Sequence, residues 1–126
     1  MEIYGQVKQL TLIQLLGIQP LKLIYPQLKN SLQKKYAKEG LTILAVSTDS
    51  QKSLSKVRSY IRAKKYSFDV ILDPNQQIFK KMNASIMPTD ILIGKDGDVL
   101  WRHYGYLPGD EKYIEAEIRN ALGIIE

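Results

Sequence analysis

The run VKQLTLIQLL, Val7 to Leu16, is apolar first in alternation, at Leu10 and Leu12, and then almost continuously. That pattern predicts a buried strand. Gly17 ends it. Pro20 suits the first turn of a helix, where no backbone N–H is needed. Leu21, Tyr25, Leu28, Leu32 and Tyr36 then recur at spacings of three and four, one face of a helix running to about Glu39. Pro26 lies inside the pattern and predicts a kink. Gly40 is a natural stop. LTILAV, Leu41 to Val46, reads as a central strand covered on both faces.

Ser47-Thr48-Asp49-Ser50 offers capping groups for a second helix marked by Leu54, Val57 and Ile61. Phe68 to Leu72 is a further short strand. Asp73-Pro74-Asn75 is a turn into a short helix through Ile78, Phe79 and Met82. Asp90 to Ile93 and Asp98 to Tyr104 flank Lys95-Asp96-Gly97, which predicts a hairpin. Leu107-Pro108-Gly109-Asp110 forms a loop ending in a cap. A last helix carries Ile114, Ile118, Ala121 and Leu122 and stops at Gly123. Strands alternating with helices, then a hairpin, predict an α/β fold with a mixed sheet between helical layers.

With 126 residues, the chain has the length of one domain, 1–126, that needs neither disulfides nor metal for its core. It has no cysteine, which excludes internal disulfides, thiolate metal sites and cysteine nucleophiles. The single histidine, His103, excludes a multi-histidine centre. No Gly-rich phosphate loop is present, so no cofactor is implied. No apolar run is long enough to span a bilayer, and no signal peptide is visible. The net charge of +5 suits an acidic partner without singling out nucleic acid.

Several segments carry a resemblance. Gly17-Ile18-Gln19-Pro20-Leu21-Lys22 with Pro26, LTILAVSTD from Leu41, Val70-Ile71-Leu72-Asp73-Pro74, and Ile86-Met87-Pro88-Thr89 followed by DILIGKDGDVLWRHYGYLPGD agree in order and spacing with one family. The chain resembles the bacterial thioredoxin-like thiol–disulfide oxidoreductases of the cytochrome-maturation type, which are related to the peroxiredoxins. The resemblance implies a thioredoxin-like three-layer sandwich with central parallel strands and a C-terminal antiparallel hairpin. It implies that Met87-Pro88 is the family's cis-proline bond, facing the catalytic turn. It further implies a periplasmic or cell-envelope setting, and a family N-terminal hairpin that falls only in part within this chain.

The departures bear on function. Ile18 and Leu21 stand where the family has its two cysteines, and Gly17 where it has tryptophan. Asp90 replaces a residue that is usually threonine or apolar. Thiol–disulfide exchange needs a thiolate, so this chain is not expected to perform it, and whether it is an enzyme of another kind is left open. The expected role is a protein- or peptide-binding or structural module: either Ile18, Gln19, Pro20, Leu21, Met87 and Pro88 form a peptide-binding edge for a protein or peptide partner, or Ile18 and Leu21 merely close over the core. The alternative is a component of an oxidoreductase system whose cysteines lie in a missing segment or a partner. A third reading takes Lys52 to Lys65 as a basic surface for an acidic partner. His103 beside Trp101 and Tyr104 reads as an ordinary strand residue, because no nucleophile lies at a motif spacing. Asp49, Asp73, Asp90, Asp96 and Asp98 read as caps and turns rather than metal ligands.

Overall fold

Parallel and antiparallel strands share one sheet, as the alternation of elements predicts. The computed structural model describes residues 9–16, 26–86, 88–105, 107 and 109–124. Five strands, β1 (Leu10–Leu16), β2 (Leu41–Ser47), β3 (Asp69–Leu72), β4 (Thr89–Ile93) and β5 (Val99–Tyr104), lie in the order β3-β2-β1-β4-β5. β1 pairs with β2, and β2 with β3, in parallel. β4 runs antiparallel to both β1 and β5. The helices are α1 (Pro26–Tyr36), α2 (Leu54–Lys64), α3 (Gln77–Lys81) and α4 (Asp110–Leu122).

Strand alternation sorts the core into two faces. Leu10, Leu12, Ile43 and Leu92 pack with Leu32 and Tyr36 of α1 and Ile114 and Ile118 of α4. Ile13, Leu15, Val46, Ile91 and Ile93 turn the other way, against Ile78 and Phe79 of α3 and Met82. Helices therefore cover both faces, the thioredoxin-like three-layer arrangement. Each fully buried aliphatic side chain contributes about 1.5–3 kcal/mol relative to exposure.

α1 is tied to both neighbours by polar side chains. Gln33 Nε2 donates to the Leu41 carbonyl (2.8 Å), and the Ile43 N–H donates to Gln33 Oε1 (2.7 Å). Tyr36 Oη donates to Glu115 Oε2 of α4 (2.5 Å), which also holds Lys35 Nζ (2.8 Å). Arg119 Nη1 donates to Tyr36 Oη (3.0 Å). A 3₁₀ turn over Ala37–Glu39 ends at Gly40, whose φ of 103° is the left-handed stop expected there.

Some local expectations are corrected. Ser50 and Ser53 make no side-chain cap bond at the start of the α2 region. Upstream, Ser47 Oγ instead donates to Asp49 Oδ2 (2.6 Å), both residues being buried. Gly109, with φ 98°, occupies the N-cap position of α4, and Asp110 is the first helical residue. Ala121 is exposed, off the buried stripe of Ile114 and Ile118. The Pro26 kink expected within a helix from Pro20 cannot be followed, because 17–25 lie outside the described residues; Pro26 itself opens α1.

Candidate functional site

Of the expected edge, Ile18, Gln19, Pro20, Leu21 and Met87 lie outside the described residues, and so does the geometry of the Met87-Pro88 bond. Pro88 is buried at the head of β4. Its carbonyl accepts the Gly105 N–H (2.8 Å), which fastens the end of β5 to it. Next to it, Thr89 Oγ1 donates to the Ile86 carbonyl (2.6 Å). Thr89 pairs with Leu15 of β1, so Pro88 sits at the carboxyl end of β1, where the chain enters 17–25. Ile86 and Tyr104 beside it are apolar and open to solvent, 47% and 50% exposed, and Leu107, two residues past Gly105, is 70% exposed. A Cβ placed on Gly105 would stand 3.9 Å from Ile86 Cδ1, so Ile86 and the end of β5 are close neighbours.

Behind this edge the sheet carries a polar row. Gln14, Asp90 and His103 are register partners across β1, β4 and β5. Alternation places Gln14 and Asp90 on the face of Leu12 and Leu92, towards α1 and α4. Gln14 Nε2 donates to Asp90 Oδ1 (2.5 Å), with Asp90 0% and Gln14 1% exposed. Gln14 Oε1 has no hydrogen-bond partner among the described residues. Asp90 is thus neither a cap nor a turn residue, contrary to expectation, but a buried strand carboxylate. Asp73 does act as a cap: its carboxylate accepts the Ile78 and Phe79 N–H groups (3.1 and 3.0 Å).

His103 is stacked on Trp101, with ring centroids 5.5 Å apart, and its Nε2 lies 2.8 Å from Asp110 Oδ2. The Leu107 N–H donates to the same oxygen (2.8 Å). That backbone bond first, and the His103 bond second, hold the Asp110 carboxyl below its ordinary range. The pair stitches β5 to α4 across the loop that carries Leu107.

Sequence reasoning missed the Gln14–Asp90 pair and the His103–Asp110 contact. The signal for the first was a lone amide inside an apolar strand, together with an acid two residues after Pro88. A cavity of about 410 Å³ lies elsewhere, at the amino end of β1, among Gln9, Gly40, Asp96 and Leu122. β1 separates it from Pro88 by about 20 Å. No group of three or more potential metal-ligating side chains occurs among the described residues. Nor is any described helix long and apolar enough to cross a membrane.

Sheet order, helical layers and a buried proline at the carboxyl edge define a thioredoxin-like α/β protein. Residues 20–102 match the AhpC/TSA family, and the chain belongs to it. Among curated relatives, the thiol-disulfide oxidoreductase ResA of Bacillus thuringiensis subsp. konkukian is 31% identical over 71 residues, 56% of this chain. That match spans 40% of ResA's own length. Among solved structures, one assigned as the thiol:disulfide interchange protein DsbE of Chlorobium tepidum is similar at a TM-score of 0.83 and 26% identity, covering 93% of this chain and 82% of that one. StoA of Bacillus subtilis shares the fold at a TM-score of 0.71 and 19% identity, covering 90% and 84%.

Proposed function

We propose that this chain is a redox-inactive thioredoxin-like domain that binds an extended apolar segment of a protein partner along the edge formed by Ile18, Gln19, Pro20, Leu21, Met87 and Pro88. One observation supports the reading: a chain of an oxidoreductase-type fold has no cysteine, and the resemblance puts Ile18 and Leu21 at the two reactive positions. Without a thiolate there is no attack on a disulfide sulfur and no mixed disulfide. What remains at that end of the sheet is a surface with an apolar character. Ile86, Tyr104 and Leu107 extend it, and exposed apolar groups of that kind favour an apolar partner. Recognition by strand addition would use main-chain hydrogen bonds for affinity and the flanking apolar side chains for selectivity.

The test is a panel of extended apolar peptides titrated into the full chain and followed by methyl NMR. Binding should perturb Ile18, Leu21 and Met87, and Ile18→Glu with Leu21→Glu should weaken it by about tenfold or more. Peptides that bind without moving those signals, or no binding across the panel, would contradict the proposal. A second reading is favoured by the match to ResA: the domain serves a thiol–disulfide system whose thiols a partner supplies. The chain alone would then be silent in insulin reduction and gain activity only with that partner.

A further inference from the structure

The net positive charge of this protein is concentrated on one helix. Lys52, Lys56, Arg58, Arg62, Lys64 and Lys65 lie on α2 and its immediate flanks, and all six are exposed. Residues 50–68 contain no acid, whereas the rest of the chain, with 13 acidic residues, is close to neutral. None of the six is in an ion pair among the described residues; Lys64 lies over the Tyr60 ring at 5.4 Å. α4, by contrast, mixes Asp110, Glu111, Glu115 and Glu117 with Lys112 and Arg119.

Solubility alone does not call for this arrangement. Lys64, Lys65 and Arg62 suit the carboxyl end of a helix, but Lys52 and Lys56 lie at the amino end, where the helix dipole opposes them. Arg58 and Arg62 are a like-charged i,i+4 pair, which destabilises an isolated helix by a few tenths of a kcal/mol. Val57 is the buried residue of α2. At about 100° per residue, Ser55 and Ser59 fall about 160° from it, at the centre of the outer face. Arg58 and Arg62 border that centre on one side. Lys56, with Lys52 about a turn earlier, borders the other. The outer face is a stripe of small side chains between two cationic rails.

We infer that this face docks an acidic α-helical segment of a partner protein, seated on Ser55 and Ser59 with its carboxylates at i,i+4 spacing between the rails. Small side chains at the contact shorten the distance between helix axes, so a second helix can settle between the rails. The same centre carries no large apolar side chain to enter a lipid interface. It carries no free aromatic ring for a base either, since Tyr60 is half-buried and Tyr66 is stacked on Phe68 with centroids 4.8 Å apart. The surface shares no residue with the proposed Pro88 edge, so the inference stands or falls independently of the proposed function.

The experiment titrates the full chain with a synthetic 20-residue helical peptide carrying Glu at i,i+4 spacing, using fluorescence anisotropy and amide NMR. Shifts should be confined to about residues 50–66, and affinity should fall by about tenfold or more between roughly 50 and 300 mM salt. The charge-swapped variant K52E/K56E/R58E/R62E should lose binding while keeping its circular dichroism spectrum, because all four positions are exposed. A scrambled peptide of equal charge that binds as tightly would overturn the helical partner. Tighter binding at equal salt to duplex DNA or to phosphatidylglycerol vesicles would overturn the protein partner. Retained binding by the swapped variant would overturn the surface itself.

Discussion

Gln14 and Asp90 share a hydrogen bond inside the sheet. Gln14→Leu removes the amide that donates to buried Asp90 Oδ1 and should lower stability by about 1–3 kcal/mol in urea unfolding. In a cycle with Asp90→Leu the two losses should fall short of additive by about 1 kcal/mol, because both variants remove the same hydrogen bond. Additive losses would show that the pair is not coupled. Asp110 responds to acid. Its folded carboxyl releases its proton more readily than an unfolded aspartate, owing to the Leu107 N–H and then His103. The stability it provides is therefore complete above the ordinary aspartate range and fades as pH falls through its lowered folded value. Glu115 behaves in the same direction, chiefly through Lys35 and then Tyr36. Asp110→Asn should melt below the parent near neutral pH, and the gap should narrow as the pH falls below the ordinary aspartate range. These polar contacts were not legible in the chain. A Gln in an apolar strand and an acid after Pro88 are visible separately, but only the β1–β4 register makes them partners.

α1 and α4 are far apart in sequence and meet on one sheet face. Ile118→Ala, at a fully buried position on α4, should remove about 2–5 kcal/mol. Tyr36→Phe keeps the ring and removes only the hydroxyl shared by Glu115 and Arg119, so its loss should be nearer 1 kcal/mol. Both are read from chemical denaturation midpoints. Lys65 ends α2 with φ 51°, a conformation glycine adopts without steric penalty. Lys65→Gly should therefore raise stability by up to about 1 kcal/mol in the same assay. Element order was legible because the apolar spacing changes cleanly between strands and helices. Leu32 and Tyr36 of the predicted α1 stripe are buried, as are Val57 on α2 and Ile114 and Ile118 on α4. The caps were less legible. Polar residues near Ser47 and Asp110 bond to loop and strand groups, and local sequence does not distinguish those partners from a helix terminus.

Across the described residues the chain keeps the family's frame, and its sequence supplies no cysteine to that frame. Sheet order, the two core faces and the position of Pro88 follow from the pattern that relates it to thiol–disulfide proteins. The absence of sulfur nucleophiles follows from composition alone. Whether the proposed edge binds a peptide was not legible, because such recognition would depend on the shape and exposure of aliphatic groups rather than on a motif. The central claim is that Ile18 and Leu21 occupy the two cysteine positions of an otherwise intact frame. Ile18→Cys with Leu21→Cys, assayed for insulin reduction and for an intramolecular disulfide by thiol labelling, tests it most directly. The account predicts a disulfide and measurable reduction in the double variant, with neither in the parent nor in either single variant. A folded double variant whose two thiols stay free and inactive under oxidising conditions would contradict it.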